Sequence, residues 1–265
     1  MTERMLHKQY QTDANLNARI SLHRNFSTNP YPGYKWIFDR FDMPEPACIL
    51  ELGCGSGDLW KENLDRIPVG WDITLTDFSG GMLASARCNL SSSGRAFTFK
   101  VADAQDLPFE DGMFDAVIAN HMLYHVPDRA RAFAEVGRVL KPGGKFYAST
   151  NSETHMAELW GVFRLYVPDR VKHFLVAGSG FTLENGAAQL SVEFGDIQRY
   201  DRANSLRVTD AEAVVAYLAS IYVSTDTPLT EAQLAAIRAD VAARIQAEGV
   251  FIINKSMGMF VAQVP

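Results

Sequence analysis

The sequence predicts a doubly wound α/β fold on a mostly parallel sheet, and three observations carry that expectation. From Ala47 onward, short apolar runs with strand character alternate with amphipathic helical stretches. The first run, Ala47-Cys48-Ile49-Leu50-Glu51-Leu52, is continuous and holds one acid, as a strand buried on both faces does. A glycine loop, Gly53-Cys54-Gly55-Ser56-Gly57, follows it at once.

The elements follow in order. A helix is expected over Asp13–Arg24, then a breaker cluster at Asn29-Pro30-Tyr31-Pro32-Gly33, then an aromatic helix holding Tyr34, Trp36, Ile37, Phe38 and Phe41. After the glycine loop, Asp58 to Ile67 reads as a helix and Trp71 to Thr76 as a second strand ending at Asp77. The helix after it begins at Ser79 and places Met82, Leu83 and Ala86. Phe97–Val101 and Phe114–Ala119 are the third and fourth strands. Asp128–Leu140 is amphipathic, Lys141-Pro142-Gly143-Gly144 stops it, and Lys145–Thr150 is the fifth strand. The rhythm breaks over residues 151–180. A helix over Thr182–Leu190, a strand over Val192–Tyr200, helices over Asp210–Tyr222 and Glu231–Glu248, and a last strand over Val250–Val264 complete the chain.

Composition narrows the function classes. A net charge of −6 without a dense basic run argues against a nucleic-acid partner. Three scattered cysteines, Cys48, Cys54 and Cys88, suit neither a disulfide framework nor a zinc site and fit a reducing cytoplasm. No apolar run approaches the roughly 20 residues of a membrane span, and Met1–Tyr10 has no apolar signal core. A cytoplasmic protein with no membrane partner and no metal is expected.

Four positions fall just after successive strands: Gly53, Asp77, Asp103 and Asn120. In doubly wound sheets that edge is where ligands bind. The loop reads G-x-G-x-G, with Asp58 where a dinucleotide fingerprint has its last glycine. Acids at Glu51 and Asp58 would repel a pyrophosphate and suit a ligand carrying an ammonium and a sulfonium. Asp77 is placed to accept from ribose hydroxyls of an adenosine-type ligand, whether nicotinamide dinucleotide or S-adenosylmethionine, or else to cap the next helix. Asp103, with Ala104 behind it, is placed to accept from the adenine amine, or else to cap a turn. Asn120-His121-Met122-Leu123-Tyr124-His125 is polar and aromatic where a substrate would sit, although His125, at a helix start, reads first as structural.

The segments ILELGCGSGDL, TLTDFSGGML, VADAQDLPFEDGMFDAVIANHMLYHVPD and EVGRVLKPGGKFY resemble the successive motifs of class I S-adenosylmethionine (SAM)-dependent methyltransferases, nearest the small-molecule branch of the ubiquinone/menaquinone-biosynthesis type. The resemblance spans about residues 47–150. It implies a Rossmann-like, seven-stranded sheet of order 3-2-1-4-5-7-6 with the last strand antiparallel, SAM as cofactor, and roles by position. Glu51, Gly53 and Gly55 would lie at the methionine part, with Cys54 also in the cofactor site, Asp77 at the ribose, Phe78 and Met82 near the adenine, Asp103 and Ala104 at its edge, and Asn120 at the methionine part through its backbone. Residues 1–46 are expected as a helical cover, and 47–265 as the SAM-binding domain with 151–180 as an inserted lid. The aromatic content of those covers points to a small, partly hydrophobic methyl acceptor, and His121 is the candidate base. A SAM-binding sensor or scaffold without transfer, and an NAD-dependent oxidoreductase, are the rival readings.

Overall fold

A computed structural model describes residues 21–168, 180–222 and 228–265. The expected first helix, the cover 1–46 and the lid 151–180 therefore lie partly outside the described residues. In chain order the elements are α1 (Gly33–Phe38), β1 (Ala47–Leu52), α2 (Asp58–Lys61), β2 (Trp71–Asp77), α3 (Gly80–Leu90), β3 (Thr98–Val101), β4 (Phe114–Asn120), α4 (Arg129–Val139), β5 (Leu140–Asn151), α5 (Ala157–Tyr166), α6 (Gly186–Leu190), β6 (Gly195–Val208), α7 (Ala211–Tyr222), α8 (Glu231–Glu248) and β7 (Phe251–Gln263). The seven strands form one sheet in the order β3-β2-β1-β4-β5-β7-β6. β1 to β5 pair in parallel and β7 runs antiparallel to β5, as expected for the Rossmann-like methyltransferase layout.

Two compact units share the chain. The larger comprises Tyr31–Glu153, Gly178–Asp201 and Met257–Pro265; the smaller comprises Met1–Pro30, Thr154–Ala177 and Arg202–Ser256. In the larger unit alternate strand residues face opposite sides. Leu50 and Leu52 of β1 join one apolar cluster with Phe133, Val136 and Phe146. Ile49 joins another with Trp60, Leu83 and Ala86. With both faces covered, β1 is apolar apart from one buried acid, Glu51. Glu51 falls on the face of Ile49, and this is the face that carries Trp60. In the smaller unit one cluster gathers Leu22, Met156, Phe163, Leu218, Val241 and Ile253. No helix among the described residues is long and apolar enough to cross a membrane.

Several boundaries differ from the sequence reading. The helix expected over 58–67 is a single α turn, Asp58–Lys61, followed by a 3-10 turn at Leu64–Arg66. The Lys141–Gly144 stretch lies within β5, because the helix already ends at Val139 and the strand begins at Leu140. α6 starts at Gly186 rather than at Thr182, whose hydroxyl and amide instead bond Asn185 in the preceding turn. β6 begins at Gly195 and runs to Val208, past the expected end at Tyr200. It is an edge strand, so its outward residues are polar and the apolar alternation that marks a strand is missing.

Candidate active site

The glycine loop takes its shape from left-handed backbone. Gly53 sits at φ 61° and Gly55 at φ 55°, a region that side chains with a Cβ rarely adopt. The two differ in what lies beside them. A Cβ on Gly53 would meet Met122 Cβ at 2.8 Å, whereas a Cβ on Gly55 would meet nothing within 4 Å. Gly53 is therefore closed by the protein's own packing, and Gly55 faces open space. The loop is anchored by Cys54 N–H, which donates to Thr76 O at 2.9 Å, and by Gly55 N–H, which donates to Asp77 Oδ2 at 2.9 Å.

Asp77 is half-buried at the end of β2. Its other oxygen, Oδ1, accepts from Ser79 N–H at 2.8 Å. The cap of α3 is Ser79, whose hydroxyl accepts from Met82 N–H at 3.4 Å, so the alternative of Asp77 as helix cap gives way to a carboxylate that ties the glycine loop to the next turn. Burial raises the Asp77 carboxyl above the usual range, against the pull of the Ser79 and Gly55 amides.

Glu51 is 2% exposed. Trp60 Nε1–H donates to its Oε2 at 2.6 Å, and Asn120 Nδ2–H donates to its Oε1 at 3.2 Å. The chain of bonds continues across the sheet: Ser149 Oγ–H donates to Asn120 Oδ1 at 3.1 Å, and His121 N–H donates to Ser149 O at 3.1 Å and lies 3.2 Å from its Oγ. Neither Trp60 nor Ser149 was singled out from the sequence. A buried tryptophan on a short helix and a serine inside an apolar strand carry no local signal; their roles arise where β1, β4 and β5 end side by side.

Burial pushes the Glu51 carboxyl up to about 7, with the Asp77 and Asp58 charges adding to the rise and the Trp60 and Asn120 bonds opposing it. The folded chain then holds this proton more tightly than the unfolded chain, where the group titrates near 4.5. Its contribution to the stability of the ligand-free protein is fully present below about pH 4.5 and is lost as pH rises through about 7, a fall of about 3 kcal/mol. Glu51→Gln keeps the shape without the charge and is expected to flatten that fall. Denaturant melts of both proteins across about pH 5 to 8 check it; an unchanged slope in the variant would assign the fall to other groups.

The remaining expected residues are placed as follows. Cys54 is buried beside Glu51 and Asp77, and burial drives its thiol well above the ordinary range. Phe78 is exposed next to Asp77, and Met82 is half-buried one turn into α3. Asp103 is half-buried after β3; its Oδ1 accepts from Gln105 N–H at 2.9 Å and from the Gln105 side-chain amide at 3.0 Å, while Ala104 is buried. Asp103 thus serves its own turn, whatever else it holds. His121 adopts φ 50°, left-handed backbone in a non-glycine residue. Tyr124 meets His125 edge-on, ring centroids 4.5 Å apart, and burial lowers the His125 imidazole to about 4. Glu51, Cys54, Gly55, Asp77 and Asn120 are thus brought together by direct bonds or electrostatic contact, whereas Asp103 and Ala104 stand one strand further out.

Comparison with known proteins agrees with this geometry. Residues 50–148 match the family described as a methyltransferase domain. The chain is 36% identical over 115 residues to a ubiquinone biosynthesis O-methyltransferase of Xanthomonas axonopodis pv. citri, covering 43% of this chain and 47% of that protein. It is 38% identical over 97 residues to a ubiquinone/menaquinone biosynthesis C-methyltransferase of Bordetella avium, covering 37% of this chain and 38% of that one. The chain thus spans about half, or less, of the length of these curated relatives. Among solved structures, a phosphoethanolamine N-methyltransferase 2 of Haemonchus contortus superposes with a TM-score of 0.63 at 20% identity, over 100% of this chain and 61% of that one, a likeness of fold. The motif order, the strand order and the matched family agree: residues 50–148 match the methyltransferase-domain family, within a sheet of the Rossmann-like methyltransferase order, and are similar to methyltransferases of ubiquinone and menaquinone biosynthesis.

Proposed function

We propose that the whole protein transfers a methyl group from SAM to a small, partly hydrophobic organic acceptor. The observation that carries this reading is the acidic lining of the glycine loop. Glu51 is buried behind it, Asp77 bonds it, and Asp58 stands at the first turn of α2, bonded by Ser56 Oγ–H at 2.7 Å. Three carboxyl groups around one loop favour a cationic ligand and oppose a pyrophosphate, which weighs against the dinucleotide reading. The open side of Gly55 leaves room for a ligand to lie on the backbone.

In this reading SAM supplies an electrophilic methyl group on a sulfonium. Glu51, Gly53, Cys54, Gly55 and the Asn120 backbone hold the methionine part. Asp77 accepts from the ribose hydroxyls, Phe78 and Met82 lie against the adenine, and Asp103 with Ala104 reads its edge. The chain's main contribution is alignment of acceptor and methyl, and positioning of this kind supplies up to about 7–11 kcal/mol of barrier reduction. The protein acts in the cytoplasm on this reading; its three cysteines are all free. The curated relatives are named for quinone biosynthesis, so ring-bearing acceptors form the first panel to assay.

Isothermal titration with SAM, S-adenosylhomocysteine and NAD tests the reading. SAM and S-adenosylhomocysteine are expected to bind and NAD to fail; the reverse order would overturn it. Gly55→Ala adds the sharper check. The methyl group meets no protein atom, so folding stability is expected to fall only by the left-handed strain of roughly 1–2 kcal/mol, while SAM affinity falls by more than tenfold because the methyl enters the ligand's space. Full affinity in this variant would place the ligand elsewhere.

A further inference from the structure

The smaller unit carries a groove of about 360 Å³, and none of the residues assigned to SAM lines it. It opens between α5, the C-terminal end of α8 and the first residues of β7. Glu158, Gly161 and Leu165 reach it from α5, and Arg244 and Glu248 from α8. Spacings of three and four residues put each set on one face of its helix. Gly161 lies in the interior of α5, where glycine weakens a helix relative to alanine. Close packing does not require it, because a Cβ at this position would meet nothing within 4 Å. Its bare backbone instead gives the groove depth. Leu165, 66% exposed, and Ile252, 41% exposed, leave apolar side chains open to solvent at its sides, and Phe251 is buried at its wall.

The charges of the groove do not balance. Arg244 is already matched: its Nε–H and Nη2–H donate to the two carboxylate oxygens of Asp240 at 3.0 and 3.3 Å, and its guanidinium lies 5.9 Å from the centre of the Phe251 ring. Glu158 accepts from Asn254 N–H at 2.9 Å and from the Asn254 side-chain amide, so both its oxygens are fixed by a neutral residue that leaves its charge in place. Lys255, next along β7, alternates to the other side of the strand from Asn254. Glu248 is exposed and has no ion-pair partner among the described residues. Two carboxylates without a cation thus face a groove with apolar sides.

We propose that this groove binds a small organic cation, an ammonium group carried on an apolar ring or short chain. Glu248 holds the ammonium, and the Glu158 charge adds to the attraction. The apolar body lies over Gly161, between Leu165 and Ile252. A volume of about 360 Å³ falls within the range of small-molecule pockets, roughly 300–1,000 Å³.

The test uses the full chain and two probes with similar apolar bodies and opposite charges, 2-phenylethylamine and 3-phenylpropionate. The amine is expected to bind saturably in the millimolar range, and the carboxylate about tenfold more weakly or less, because the acids that attract one repel the other. The methyl resonances of Leu165 and Ile252 are expected to shift as the amine is added, which separates this groove from the SAM site. Gly161→Leu fills the groove at a helix position that accepts a side chain, so the variant is expected to fold and to bind the amine at least about tenfold more weakly. Glu248→Gln removes a carboxylate that pairs with no other described residue and is expected to weaken the amine about threefold, the scale of an exposed ion pair. The proposal is overturned if the amine does not saturate, if 3-phenylpropionate binds as tightly, if the Leu165 and Ile252 methyls stay unmoved at saturation, or if either folded variant binds the amine as wild type does. The first three readouts need no variant, so a misfolded protein still leaves the proposal open to refutation. A wild-type chain that binds the amine in this groove but does not bind SAM would leave the groove standing and overturn the methyltransferase reading instead.

Discussion

Asp77→Ala is expected to lower SAM affinity about a hundredfold while the ligand-free protein stays folded. Two losses add. The ribose hydroxyls lose a charged acceptor, worth roughly 1.5–3 kcal/mol or about ten- to a hundredfold in affinity. The loop loses its tie as well, because the same carboxylate accepts from Gly55 N–H at 2.9 Å and from Ser79 N–H at 2.8 Å. Those amides then find water, so the fold survives, but the loop is no longer held for the ligand. Asp77→Asn separates the two contributions. Its one remaining carbonyl oxygen keeps part of the loop geometry without the charge, and its affinity is expected between those of wild type and Asp77→Ala. Titration calorimetry with SAM and S-adenosylhomocysteine, beside a thermal melt of the free protein, is the measurement. Wild-type affinity in the folded Ala variant would remove Asp77 from the site.

Asp77 also shows what a sequence can and cannot display. Its position after an apolar strand and before a capping serine is local, and so was readable. The continuous run of β1 was readable for the same reason: both faces of a central parallel strand are buried, and Ile49, Leu50 and Leu52 each go to 1% exposure or less. The hydrogen-bond chain from Trp60 through Glu51 and Asn120 to Ser149 was not readable, because its members are 9, 69 and 29 residues apart and meet only once the strands are in register. Met122 over Gly53 is of the same kind. The edge strand β6 was expected over Val192–Tyr200 and only its far end, at Val208, was missed: its outward residues are polar, so no apolar alternation marks how far the strand runs.

The last residue of the proposed site to be tested is His121. It follows Asn120 at the end of β4, and its backbone sits at φ 50° with its N–H held by Ser149 O at 3.1 Å. Non-glycine residues take this conformation at a cost, and such costs collect at functional sites. Histidine titrates near neutrality and so serves as a base at physiological pH. An acceptor oxygen or carbon must lose a proton to attack the methyl, whereas a neutral amine attacks first and loses its proton later. With an oxygen or carbon acceptor, His121→Asn is expected to slow single-turnover transfer by at least about a hundredfold, the low end for removal of a general base. Asparagine is the informative replacement because it tolerates left-handed backbone better than alanine does. The loss then reads the imidazole rather than a distorted turn, and SAM affinity stays near wild type. Rates of wild type and variant are compared across about pH 5.5 to 9. A near-normal rate with the wild-type pH profile would make His121 a wall of the pocket, with alignment alone carrying the transfer.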